Sequence, residues 1–99
     1  MLVCLVLALS TRAGAAAEVR IRIADFAFAP ADLTITRGTM VIWENADDMV
    51  HSIVSTTGAF RSSALDTGDS FTFTFDSPGT FEYSCGLHPR MRGRIVVLP

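Results

Sequence analysis

A thiol, an imidazole and a thioether recur at three-residue intervals in the segment Tyr83-Ser84-Cys85-Gly86-Leu87-His88-Pro89-Arg90-Met91-Arg92-Gly93, as Cys85, His88 and Met91. The chain's other histidine, His51, stands far upstream, at the expected start of another strand. Thiolate, two imidazoles and a thioether are the donors of a mononuclear copper site built for electron transfer. The soft thiolate stabilises Cu(I), the borderline imidazoles accept both oxidation states, and a weakly held thioether lets one geometry serve both. Each residue has a blander reading alone: Cys85 as a small buried hydrophobe, His51 as a structural or exposed side chain, Met91 as core filler. Their coincidence argues for a site, because both histidines belong to the constellation and the spacing returns three donors to one side of a tight turn. Zinc could be held by Cys85 and two histidines with a fourth position open, but a thioether is not among its usual ligands.

Such a site needs a rigid frame, and the apolar pattern supplies one. Val19, Ile21 and Ile23 alternate with Arg20 and Arg22; Phe26 and Phe28 with Ala27 and Ala29; Leu33 and Ile35 with Thr34 and Thr36. This is the period of a strand with one face buried. Phe71, Phe73 and Phe75 against Thr72 and Thr74 form the clearest strand, aromatic on one face and β-branched on the other. Met40-Val41-Ile42-Trp43 is continuously apolar, as a central strand would be, and Ile95-Val96-Val97-Leu98 closes the chain similarly. Turn chemistry separates the runs at Arg37-Gly38, Thr67-Gly68-Asp69 and Ser77-Pro78-Gly79-Thr80, the last expected as a type II turn. The expectation is an all-β sandwich of about seven or eight strands.

At 99 residues the chain has room for one small domain, not for a catalytic α/β barrel or a dinucleotide fold with its substrate domain. Its basic residues, all arginine, number 8 against 10 acids, a formal charge of −2 that argues against general nucleic-acid binding. Residues 1–17 read as a signal peptide: Leu2 to Leu9 are a short apolar run, Ser10-Thr11-Arg12 break it, and small residues follow for cleavage after Ala15 or Ala17. That run is too short to span a bilayer, which takes about 20 residues. Cleavage would remove Cys4, leaving Cys85 as the one cysteine of a single domain, 18–99, in an oxidising compartment.

At these residues the chain resembles the cupredoxin family, and its amicyanin branch most closely. The resemblance runs from about residue 19 to 98: the Val-Arg-Ile strand, Met40-Val41-Ile42-Trp43-Glu44-Asn45, Val50-His51-Ser52-Ile53, the Cys85…His88…Met91 loop and Arg92-Gly93-Arg94-Ile95-Val96-Val97. The short Cys-x-x-His-x-x-Met loop is typical of amicyanins. The resemblance implies a Greek-key β-sandwich holding one copper ion, with His51, Cys85 and His88 as equatorial ligands and Met91 as the axial one. Two positions depart from it. Ser52 stands where many relatives have an asparagine whose backbone N–H reaches the cysteine sulfur and whose side chain ties the ligand loops. Arg90 stands where amicyanins commonly have an aromatic, which puts a charge beside His88.

The expected function is therefore that of a soluble, exported, periplasmic one-electron carrier, a monomer and not an enzyme. Redox partner proteins would dock around His88, within an apolar rim of Leu87, Pro89 and Met49. Arg90, Arg92 and Arg94 would favour an acidic partner patch, offset by Glu44 and Asp47-Asp48. A copper storage or delivery protein is the alternative, and it would be expected to carry the Met- or His-rich tracts that this sequence lacks. A metal-free binding module would leave the donor coincidence unexplained.

Overall fold

In the computed structural model, which describes residues 17–99, the chain forms eight strands and, among the described residues, no helix. They are β1 (Glu18–Ala24), β2 (Ala27–Ala29), β3 (Asp32–Thr36), β4 (Thr39–Asn45), β5 (Val54–Ser55), β6 (Ser70–Phe75), β7 (Gly79–Ser84) and β8 (Arg92–Leu98). The expected signal peptide lies almost wholly outside the described residues. Ala17 is the first described residue, and its carbonyl accepts the Met40 N–H at 3.0 Å.

The strands build two four-stranded sheets, ordered β2-β1-β4-β6 and β3-β8-β7-β5. β1 runs parallel to β4 and β3 parallel to β8, so each sheet joins strands distant in sequence. Alternation is obeyed where it was clearest. Ile21 and Ile23 are fully buried while Arg20 and Arg22 are exposed, and Phe75 is buried with Phe71 and Phe73 half-buried beside it. β4 lies inside its sheet, between β1 and β6, which accounts for its unbroken apolar run.

The inner faces meet around Trp43, which is fully buried. The Tyr83 ring of the opposite sheet stands edge-on to it at 5.5 Å, and Phe60 and Phe71 lie at 5.6 and 5.5 Å. Burial pushes the Tyr83 phenol up to about 12, so it stays neutral. Gly93 pairs directly across from Tyr83, and a Cβ there would run into its ring, so β7 and β8 can close over the core only with glycine at this position.

Two local expectations change. Gly79 has φ +143°, not the roughly +80° of a type II turn, and already pairs with Val97 as the first residue of β7. Phe26 does not share a buried strand face with Phe28. It sits with Asp25 in the two-residue turn joining β1 to β2, both at positive φ (+56° and +53°), the sign pattern of a type I′ hairpin turn. Phe28 is buried, whereas Phe26 is 47% exposed.

Candidate metal centre

Cys85, His88 and Met91 lie on the connection from β7 to β8, which closes on itself. The Cys85 N–H donates to the Met91 carbonyl at 3.0 Å, and the Met91 N–H to the His88 carbonyl at 2.9 Å. The three-residue spacing brings Cys85 Sγ within 3.6 Å of His88 Nδ1, with Cys85 and Met91 buried and His88 half-buried.

His51 arrives from the long connection between β4 and β5. It does not begin a strand, as the sequence suggested, but forms an isolated two-sided bridge with Leu65, at 3.1 and 2.7 Å. Asn45, almost fully buried at the end of β4, fixes this segment. Its Nδ2 donates to the carbonyls of Met49 and Leu65, both at 2.9 Å, and its Oδ1 accepts the Asp47 N–H at 2.9 Å. One side chain therefore ties the stretch just before His51 to Leu65, the bridge partner of His51.

The donor atoms of His51, Cys85 and His88 all lie within 4.8 Å of one another. Cys85 Sγ is 3.5 Å from His51 Nδ1 and 3.6 Å from His88 Nδ1. A first-row ion with metal–sulfur and metal–nitrogen bonds of about 2.3 and 2.0 Å, at angles between tetrahedral and trigonal, would set S···N edges of about 3.5–3.7 Å. The separations fit such an ion. Thiolate and imidazole would suit zinc as well; a thioether from Met91, buried on the same loop, would favour copper.

Hydrogen bonding prepares the donors. His51 is fully buried, and its Nε2 lies 2.9 Å from Asp47 Oδ2. With Nε2–H donating to that carboxylate, Nδ1 keeps its lone pair facing Cys85. The His51 bond, followed by the Phe26 backbone N–H and then the Asp48 N–H, holds the Asp47 carboxyl down at about 2. Asp47 is thus an anion committed to the site, not a surface charge offsetting the arginines. Sequence reasoning missed this role; its only signal was an acid four residues before His51.

Ser52 does what its place between the loops requires. Its N–H donates to Cys85 Sγ at 3.4 Å, and its hydroxyl accepts the Gly86 N–H at 3.0 Å. The tie between the two ligand-bearing segments is kept by a hydroxyl in place of an amide.

The surface above His88 is apolar. Leu87 is 52% exposed, and Phe26 joins it as a rim residue that the sequence pattern had assigned to the core; Met49, expected in the rim, is 45% exposed but does not line the hollow beside His88. Phe26, Leu87, His88, Pro89, Arg90 and Met91 line an open hollow of about 450 Å³. Arg90 and Arg92 make no ion pair among the described residues, whereas Arg94 lies 3.6 Å from Asp32 and Arg20 pairs with Glu44 at 2.7 Å. No helix among the described residues is long and apolar enough to cross a membrane.

Residues 1–97 match the family model of the cupredoxin-like domain. The amicyanin of Paracoccus denitrificans is 32% identical over 93 residues, covering 84% of this chain and 71% of that protein. The amicyanin of Paracoccus versutus is 32% identical over 71 residues, which is 67% of this chain and 54%, about half, of the relative's length. Among solved structures, a purple cupredoxin from Nitrosopumilus maritimus superposes with a TM-score of 0.76 at 32% identity, over 81% of this chain and 99% of that one. A β-sandwich with a Cys-His-Met loop, a buried histidine facing that cysteine and these relatives has one family: the chain belongs to the cupredoxins and is related to the amicyanins among them.

Proposed function

We propose that the protein is a one-electron carrier with a single copper bound by His51, Cys85, His88 and Met91. Bound there, copper supplies a Cu(II)/Cu(I) couple. The observation that carries this reading is the trio of donor atoms within 4.8 Å, held by hydrogen bonds that do not involve a metal. Asp47 and Ser52 fix His51 and Cys85 from behind, and the closed β7–β8 loop fixes His88 and Met91. Donors positioned by the protein need move little when an electron arrives, and a small rearrangement is what fast electron transfer requires.

Electrons would pass through His88, whose apolar surroundings suit brief docking of redox partner proteins on a small interface. The leader of residues 1–17 would deliver the domain, 18–99, to the periplasm as a monomer without nucleic-acid partners.

Spectroelectrochemical titration of the copper-loaded chain tests the reading. The expected result is one reversible electron per chain with the metal retained through repeated cycles. Release of copper at each reduction would instead make this a protein that hands the metal over.

A further inference from the structure

Phe26 occupies a backbone position that turn chemistry assigns to other residues. At the centre of a hairpin turn with φ +56°, glycine or asparagine is the unstrained choice, and a bulky aromatic is an outlier. Nor does burial explain the residue, since it is 47% exposed. Its ring lies edge-to-face with both histidines, at 4.9 Å and 88° to His88 and at 5.5 Å and 86° to His51. The turn is tied to the same carboxylate that orients His51: the Phe26 N–H donates to Asp47 Oδ2 at 3.1 Å, beside the 2.9 Å contact from His51 Nε2.

From this juxtaposition, and resting on the copper reading above, we infer that Phe26 is a positioning residue for His88, clamping its imidazole so that this outermost histidine stays in place when the copper is reduced. The clamp acts from outside the loop. Within its own loop His88 is held through its carbonyl, to the Met91 N–H, and its Nδ1 lies 3.6 Å from Cys85 Sγ; the side chain is half-buried, and the Phe26 ring packs on it from another segment at 4.9 Å. Asp47 couples the parts, because one carboxylate sets the direction of His51 and the seat of the turn that carries Phe26. A perpendicular edge-to-face contact between two aromatic rings is an attractive geometry, and backbone strain at a residue that packing does not require marks a position kept for its side chain.

The test uses Phe26→Gly, which relieves the turn while removing the ring, with Phe26→Leu and Phe26→Tyr beside it. In the metal-free wild-type chain, proton NMR should show ring-current shifts on the His88 ring, lost in the glycine and leucine variants and kept in the tyrosine variant. In the Cu(I)-loaded chain, release of copper to a Cu(I) chelator should run about 2- to 12-fold faster in the glycine and leucine variants and near the wild-type rate in the tyrosine variant. A glycine variant with wild-type His88 shifts and a wild-type release rate overturns the inference. The two readings fail separately: a wild-type chain that takes up no copper defeats the copper site, whereas wild-type behaviour of Phe26→Gly in a copper-binding chain defeats the clamp alone.

Discussion

Ser52 shows how one small side chain can do the work of a larger one. Its backbone N–H, which any residue but proline would supply, points at Cys85 Sγ, and its hydroxyl supplies the cross-loop bond to Gly86. The two contributions separate by mutation. Ser52→Ala should keep the bond to sulfur and lose the tie, costing about 0.5–1.5 kcal/mol in chemical denaturation of the metal-free chain. No loss would mean that the hydroxyl bond does not form in solution. Gly86→Ala meets the same contact from the other side, since its Cβ would lie 2.6 Å from the Ser52 hydroxyl oxygen and 3.2 Å from a Val54 methyl. Asp47 is the other decisive side chain. Its carboxyl, held near 2 chiefly by His51 and then by the Phe26 N–H, is ionised throughout the neutral range and keeps its bonds from His51, Phe26 and Asp48 there.

The ends of β4 and β7 carry the site, and Asn45 is where β4 hands over to the segment bearing His51. Asn45→Ala would leave the Met49 carbonyl and the Asp47 N–H without this partner and would take from the Leu65 carbonyl one of its two donors, the His51 N–H being the other. A loss of about 2–4 kcal/mol in the denaturation free energy is expected, with weaker copper binding, because several bonds fail together. A loss below about 0.5 kcal/mol would show that the bridge between His51 and Leu65 suffices alone. The strands themselves were legible because two-residue alternation leaves a plain trace: the Phe71, Phe73, Phe75 face and the Ile21, Ile23 face point as the pattern says. The Cys85, His88, Met91 loop was legible for a similar reason, since all three donors lie within seven residues. The elements between strands were not. Phe26 satisfies the same alternation as Phe28 on paper, but a turn with two positive φ angles rotates it out to the histidines. His51 looked like the start of a strand because Val50 and Ile53 are apolar, whereas its partner, Leu65, is fixed by a loop with no period to read. Asp47 looked like a surface acid, because its burial depends on the approach of the β1–β2 turn, a contact between distant segments.

Charge over the entire surface divides unevenly about the site. Glu44 and Asp47 are committed to Arg20 and His51, which leaves Asp48 as the exposed acid of that segment, whereas Arg90, on the hollow beside His88, and Arg92 make no ion pair among the described residues. That imbalance should attract anionic reactants to His88. Stopped-flow reduction of the copper-loaded chain by a small anionic complex should slow about two- to fivefold in Arg90→Glu at low salt, and quicken with a cationic complex. Both effects should fade as salt shortens the screening length. Equal rates for both complexes would place electron entry away from this loop. The sandwich is small, and every feature described converges on one end of it: two sheets packed around Trp43, two connections brought together by Ser52, and a turn carrying Phe26 above them. The optical spectrum of the chain loaded with one equivalent of Cu(II), beside that of Cys85→Ser, tests the central claim most directly. An intense visible thiolate-to-copper band should appear in the first and vanish in the second while the circular dichroism of the β-sheets is unchanged. A colourless wild-type protein, or a band that survives the loss of Cys85, would contradict it.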